Sequence, residues 1–381
     1  MTALDRAASI ADLRRLARRR LPRSIFEFID GGAGDERTLR DNADHLAALR
    51  LMPRVGVDVA ARSAAVDIVG RRSALPLVLA PTGLAGLFWP GGEMAAARAA
   101  QAAGISFCLS TNSVASIEEV AAAVPGVDRW FQLYFLKDEA LMDRMLARAA
   151  ASGYRVLCLT LDLAVQGRRD RDIRNAFTVP LRPRLKTVLE VALRPAWLAG
   201  FLRAPVRFGN FEADAPQTGF SSMAQHVAKL CDASANWGTI ARVAAKWHGP
   251  VVIKGVLAPD DARRAVDLGA AAVIVSNHGG RQLDHVPSAA AALPGVVEAV
   301  AGRAQVLLDG GVRRGTDVIK AKALGADACM IGRPFLWGLA AAGEPGVART
   351  LSIFAEEIAI AQALLGRPDF AAIDRSVLSD L

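Results

Sequence analysis

From residue 75 onward, short continuous apolar runs recur along the chain, separated by Ala-rich stretches of helical character. The runs cover residues 75–80, 106–109, 130–133, 156–161, 251–253, 272–275, 305–308 and 328–331. An apolar run without polar alternation suits a parallel strand buried on both faces. The stretches between them carry helix punctuation. Ser116 with Glu119 predicts a capping box. Pro259 followed by Asp260 and Asp261 predicts a helical first turn, where acidic side chains meet the positive end of the macrodipole. Gly104, Gly153, Gly269, Gly302 and Gly325 each close a helical stretch just before the next run, where a glycine stop belongs. Eight βα units in series predict an α/β fold of the (β/α)8, or TIM, barrel type. A doubly wound sheet would use fewer strands, and no GxGxxG comes after the first run.

The residues just beyond each run narrow the picture. In order come Thr82, Ser110, Gln132, Thr160 with Asp162, Lys254, Ser276 with His278, Asp309, and Gly332 with Arg333. In a barrel these strand ends converge on one face, where active sites sit. One polar strand end means nothing; eight, among them a Lys, a His and two Asp, form a constellation. Lys254 is costly inside a barrel unless it meets an anion. That anion is either a neighbouring Asp or a cofactor that turns negative on reduction. His278 stands beside Gly279 and Gly280, three residues before Arg281, which suits a general base next to a carboxylate-binding cation. Asp162 is placed to orient it, and Arg169 lies seven residues further on. The loop Asp309-Gly310-Gly311-Val312-Arg313 and the pair Gly332-Arg333 suit a phosphate held between the last two strands. His45, His226, His248 and His285 are expected to be structural.

Three segments stand outside the rhythm, and the whole of 1–381 is expected to form one domain: an N-terminal helical segment over 1–72, the barrel over 73–365, and an insertion over 163–235. In the first, a helix runs to Arg20, a short helix is capped by Ser24 with Glu27 and stopped by Gly31-Gly32, and another helix covers 35–49. A final helix is expected over 347–365. The insertion is too long for an ordinary βα loop. From Leu181 to Gly209 it carries Arg182, Arg184, Lys186, Arg194, Arg203 and Arg207 among Leu185, Val188, Leu189, Val191, Leu193, Trp197, Leu198, Phe201 and Leu202. That mixture suits a segment lying in a membrane interface; the competing expectation is a basic flap over the barrel or at a subunit contact.

Composition excludes several classes. With 52% hydrophobic and 22% charged residues the chain is not disordered. The net charge of +8 attracts anions, but aromatics are 6% and do not interleave with basic residues, so nucleic acid is not an expected partner. The four cysteines are widely spaced, which excludes a zinc knuckle and predicts no metal site and a reducing compartment. No apolar run reaches the roughly twenty residues of a spanning helix. The charged start lacks a signal-peptide pattern. The expected location is the cytoplasm, with peripheral contact at the inner face of the cell membrane if the insertion docks there.

The string Ser276-Asn277-His278-Gly279-Gly280-Arg281-Gln282-Leu283-Asp284 resembles the signature of the FMN-dependent α-hydroxy-acid oxidase and dehydrogenase family. Supporting strings are Ala80-Pro81-Thr82-Gly83, Trp130-Phe131-Gln132-Leu133-Tyr134, Val252-Ile253-Lys254-Gly255 and Asp309-Gly310-Gly311-Val312-Arg313. The look is nearest to the family's mandelate- and bacterial lactate-oxidising dehydrogenases. The resemblance implies that His278 is the base, that Asp162 stabilises its imidazolium, that Arg281 and Arg169 clamp the substrate carboxylate, and that Tyr134 bonds the substrate hydroxyl. It implies Lys254 at the flavin N1/O2 edge. Pro81, Thr82, Gly83, Ser110, Gln132, Thr160 and Ser276 would line the flavin, and Asp309, Gly310, Gly311, Arg313, Gly332 and Arg333 would hold its ribityl and phosphate end.

Two departures matter. Phe28 occupies the place of a tyrosine that helps bind the carboxylate, a hydrogen bond to a charged group worth about 1.5–3 kcal/mol. An apolar Phe28 suits a larger or aromatic acid. Gly83 stands where several oxidases have Ala, which implies slow reaction with oxygen. The implied activity is FMN-dependent oxidation of an L-2-hydroxy acid, mandelate- or lactate-like, to the 2-oxo acid, with electrons passed to a membrane quinone or other non-O2 acceptor, by a homotetramer. The alternatives are an oxidase producing H2O2, a flavin-binding relative acting on another substrate such as a peptide, and a phosphate-binding barrel of other chemistry.

Overall fold

In a computed structural model, which describes residues 1–175, 185–204, 206–211 and 230–379, eight parallel strands close into a barrel. They are β1 (Leu77–Leu79), β2 (Ser106–Ser110), β3 (Arg129–Leu133), β4 (Val156–Thr160), β5 (Val251–Val256), β6 (Ala272–Ser276), β7 (Gln305–Asp309) and β8 (Ala328–Ile331). Each pairs with the next, and β8 closes on β1 with Cys329 opposite Leu77. The expected TIM barrel is present, and every predicted run overlaps one of its strands. β2, β6 and β7 extend one residue further, to Ser110, Ser276 and Asp309, β5 extends three, to Val256, and β3 starts one residue earlier, at Arg129. Register explains why the polar tips meet. Ser110 is opposite Gln132, Thr160 opposite Lys254, and Ser276 opposite Asp309. β5 bulges at its tip, where the register shifts between Lys254 and Val256 around Gly255.

The strand interiors are fully buried, and the buried hydrophobic side chains, from Ala7 near one end of the chain to Val377 near the other, form one contiguous cluster. The local signals work as their chemistry requires. Ser116 Oγ accepts from Glu119 N at 3.2 Å while Glu119 Oε2 accepts from Ser116 N at 2.8 Å. A helix begins at Pro259, and all five glycine stops adopt positive φ.

Other expectations need correction. The helix Arg23–Asp30 is not capped by Ser24 with Glu27. Pro22 is its N-cap, Ser24 lies buried inside the helix, and Glu27 pairs instead with Arg23 at 2.8 Å. Proline presets the entry, so no side-chain cap is needed. The next helix is Arg37–Ala48, and two helices rather than one come after β8, Arg333–Ala342 and Glu344–Leu364.

Within the insertion, helices span Asp170–Arg174, Leu185–Ala192 and Pro195–Arg203. Trp197 turns inward, its indole N–H donating to Leu87 O at 2.9 Å. Val188, Leu189, Leu193 and Leu202 are exposed. Leu181, Arg182, Arg184, His226 and the side chains of Leu185 and Lys186 lie outside the described residues. Among the described residues no helix is long and apolar enough to cross a membrane.

Candidate active site

The carboxyl ends of the strands surround a cavity of about 530 Å³. At its floor Lys254 Nζ lies 2.6 Å from Asp309 Oδ2 and donates to Ser276 Oγ at 2.9 Å. Ser276 Oγ donates to Asp309 Oδ2 at 2.7 Å and accepts from His278 N at 3.0 Å. Three neighbouring strands, β5, β6 and β7, thus tie their tips through one hydroxyl. Burial alone would lower the Lys254 pKa, but the Asp309 and Asp162 carboxylates facing it hold it above the ordinary lysine range. Lys254 is a permanent buried cation: the structure gives it the Asp partner, and it also lines the cavity.

His278 sits just above. Its Nδ1 is 2.9 Å from Asp162 Oδ1, which fixes the ring and leaves Nε2 as the other nitrogen. Its φ of 58° is unusual for a non-glycine residue, a strain consistent with a residue held for its side-chain position. Asp162 would be raised by burial, but His278 opposite it, with Lys254 nearby, lowers it below the usual carboxylate range. The carboxylate is therefore charged and ready to stabilise a protonated imidazole. Tyr134 stacks at 6.4 Å from the His278 ring. Burial, with the Asp162 charge adding to it, pushes its phenol up, so it keeps its proton.

The opposite wall is cationic. Arg281 Nη1 donates to Phe28 O at 2.7 Å and Gly31 O at 3.1 Å, and Arg169 Nε donates to Arg281 O at 3.3 Å. Phe28 lies against both guanidiniums, 5.1 Å from Arg281 and 6.0 Å from Arg169. Arg333 donates to Ile29 O, Gly279 O and Gly31 O at 3.0, 2.8 and 2.7 Å. The C-terminal carbonyls of helix Arg23–Asp30 thereby anchor the cations, as the negative end of a helix should. Burial pushes Arg313 down to about 10, and burial with the Arg313 charge pushes Arg333 down to about 9. Burial and the charges of Arg169 and Arg333 set Arg281 well below its ordinary value. A wall of crowded, desolvated guanidiniums favours anions.

Every predicted site residue falls here. Phe28, Pro81, Thr82, Gly83, Ser110, Tyr134, Arg169, Lys254, His278, Arg281, Asp309, Gly310, Gly311, Arg313, Gly332 and Arg333 line the cavity. Gln132, Thr160, Asp162 and Ser276 support them from the strand ends. Sequence reasoning missed Asp172, which lines the cavity beside Arg169, and Gln282, whose Nε2 holds Asp162 O at 2.9 Å. Gln282 lay within the signature string, and Asp172 stood one helical turn after Arg169; those were the available signals.

Two buried polar atoms test the fit of a flavin. Gln132 Nε2 and Thr160 Oγ1 have no hydrogen-bond partner among the described residues. Both belong to strand ends beside the cavity lining, and buried orphans of this kind call for a ligand with donors and acceptors along its edge. An isoalloxazine ring has them. The guanidiniums and glycines after β7 and β8 suit a phosphate at the other end. The residues present fit FMN.

The comparisons with known proteins agree. The family described as FMN-dependent dehydrogenase matches residues 17–380. An L-lactate dehydrogenase of Caulobacter vibrioides is 45% identical over 379 residues, 98% of each chain. The crystal structure of the monotopic membrane protein (S)-mandelate dehydrogenase aligns with a TM-score of 0.94 and 38% identity, covering 99% of this chain and 100% of that one. A mandelate oxidase structure aligns with a TM-score of 0.83 and 41% identity, over 98% of each. On this fold, this site and a match spanning nearly its whole length, the chain belongs to the FMN-dependent dehydrogenase family, as an FMN-dependent oxidoreductase acting on the CH–OH group of 2-hydroxy acids.

Proposed function

We propose that the protein oxidises an L-2-hydroxy acid with a large or aromatic side chain, mandelate-like rather than lactate-like, and passes the electrons to a membrane quinone or another acceptor than O2. The observation that carries the reading is the pairing of a positioned imidazole with a double guanidinium wall across one cavity. His278 takes the proton from the substrate, and Asp162 stabilises the imidazolium that forms. Arg281 and Arg169 bind the carboxylate. Tyr134 donates to the substrate oxygen. Bound FMN supplies a two-electron acceptor. Lys254 offers a cation to the ring, Gln132 and Thr160 offer their unpartnered polar atoms, and Arg313 and Arg333 with Gly310, Gly311 and Gly332 receive the phosphate end.

The preference for a larger acid rests on Phe28. It meets Phe88 at 6.3 Å, and Leu163, Ile173 and Phe208 line the same cavity, giving the substrate side chain an apolar surround. Anaerobic mixing with a panel of acids tests this. (S)-Mandelate and longer 2-hydroxy acids are expected to bleach the flavin faster than L-lactate or glycolate; fastest bleaching by glycolate overturns the substrate class. His278→Gln should keep the yellow colour and lose about 10²–10⁴-fold in bleaching rate. An unchanged rate would show that the base is elsewhere.

The 41% identity to a mandelate oxidase favours a second reading, H2O2 production. Reoxidation separates the two: slow flavin reoxidation in air but fast reoxidation by a soluble quinone supports the dehydrogenase. Membrane attachment through the insertion, a homotetrameric state and a single domain over 1–381 belong to the same proposal, and light scattering checks the mass.

A further inference from the structure

Asp172 lies on the short helix Asp170–Arg174, one turn beyond Arg169. Its side chain is 14% exposed and lines the cavity. Among the described residues it makes a single ion pair, Oδ2 to Arg169 Nη1 at 3.8 Å, and accepts no hydrogen bond. A carboxylate withdrawn from water without hydrogen bonds is an expensive feature that packing does not require. Burial raises its pKa even though Arg169 and Arg281 oppose the rise, with Glu27 adding to it and Arg171 countering.

What Asp172 supplies is charge. Arg169 and Arg281 share the Phe28 ring, and both are desolvated. Two buried cations on one wall need a counter-anion before the substrate arrives and after the product leaves. Two long contacts hold the Arg169 guanidinium, a 3.3 Å bond to Arg281 O and the 3.8 Å ion pair to Asp172, so the resident carboxylate has no stronger hold on it than an incoming one would.

We propose that Asp172 is the resident counter-anion of the Arg169–Arg281 pair, a positioning residue that competes with the carboxylate of substrate or product for Arg169. The inference deepens the functional reading above and rests on it. With a 2-hydroxy acid bound, two cations face two carboxylates. On release, Arg169 returns to Asp172 instead of standing unpaired. Asp172 thus weakens carboxylate binding and keeps product from lingering.

The test is a titration of the oxidised, FMN-loaded protein with benzoylformate and with pyruvate, monitored by the flavin absorbance change. Asp172→Asn keeps the shape and removes the competitor, so product binding should tighten on the order of tenfold, with KM for the hydroxy acid lowered. Asp172→Ser, a smaller neutral side chain, should tighten in the same direction. Asp172→Glu, which keeps the charge, should return binding to near the wild-type value. A merely structural role predicts the reverse: weaker binding and a higher KM in both neutral variants. If wild type binds a 2-oxo acid and neither neutral variant binds it more tightly, the counter-anion role is overturned while the functional reading stands. If wild type binds neither 2-oxo acid, the functional reading falls and this inference falls with it.

Discussion

Lys254, Ser276 and Asp309 form a buried set in which each member satisfies the others, with contacts of 2.6 to 2.9 Å. The ammonium is 4% exposed and the carboxylate 12%. Removing one partner of such a pair leaves an uncompensated charge, at a cost of about 3–5 kcal/mol. Lys254→Met should therefore lower the unfolding free energy of the flavin-free protein by that amount in a denaturant titration. Adding Asp309→Asn should recover a good part of it, because the orphaned charge is gone. A double variant no more stable than the single one would show that Lys254 acts through packing. These residues were legible in the sequence because a charge at the end of an apolar strand is an anomaly visible in one dimension. Asp172 was not. It comes after Arg168, Arg169 and Asp170 in a run of charges that looks like a solvated surface, and only the fold shows it withdrawn from water beside two arginines.

At the scale of elements, the bulge in β5 shows how a strand aims a side chain. Gly255 has φ of 97°, and a Cβ there would lie 2.7 Å from Asp162 Cγ and 2.8 Å from its Cβ. The bulge places Lys254 toward the floor and leaves room for the Asp162 side chain above its backbone. Gly255→Ala brings backbone strain of about 1–2 kcal/mol and also drives Asp162 away from His278. The expected result is a moderate fall in melting temperature with a much larger fall in flavin reduction rate, at least tenfold. Equal losses in a variant that still binds FMN would mean that Asp162 does not depend on the bulge. The strands themselves could be read from their apolar runs, since burial on both faces removes polar alternation. The same physics hid helix Arg333–Ala342: its residues from Arg333 to Ala340 are all buried, so it has no polar face and no 3.6-residue period to detect. The Ser24–Glu27 capping box failed for a related reason, because a side-chain motif cannot announce that a preceding proline has already set the helix entry.

For the molecule as a whole, the proposed membrane contact depends on how the insertion divides its apolar residues. Spacing in the sequence placed Trp197 with the leucines, but the indole is 6% exposed and serves as an anchor, while Val191 and Leu198 pack against the core. The remaining set among the described side chains is Val188, Leu189, Leu193 and Leu202, at 56 to 68% exposure, with Phe201 at 37%. Trp197 fastens helix Pro195–Arg203 to Leu87, one residue from Phe88, which lines the cavity. A lipid surface meeting these leucines would therefore lie close to the cavity and within reach of a quinone dissolved in it. The net charge of +8 adds attraction to anionic headgroups, about 1 kcal/mol for each basic side chain near the surface. Each leucine fully taken out of water adds about 1.5–3 kcal/mol. The triple substitution Leu189→Asp, Leu193→Asp and Leu202→Asp removes that apolar contribution and reverses part of the charge. Co-sedimentation with vesicles containing phosphatidylserine should fall at least a hundredfold in partition coefficient. Bleaching by the hydroxy acid in solution should remain at the wild-type rate, because none of the three residues lines the cavity. Unchanged sedimentation would sink the membrane role and leave the apolar face to a subunit contact, which the same substitutions would then reveal as a drop in oligomer mass.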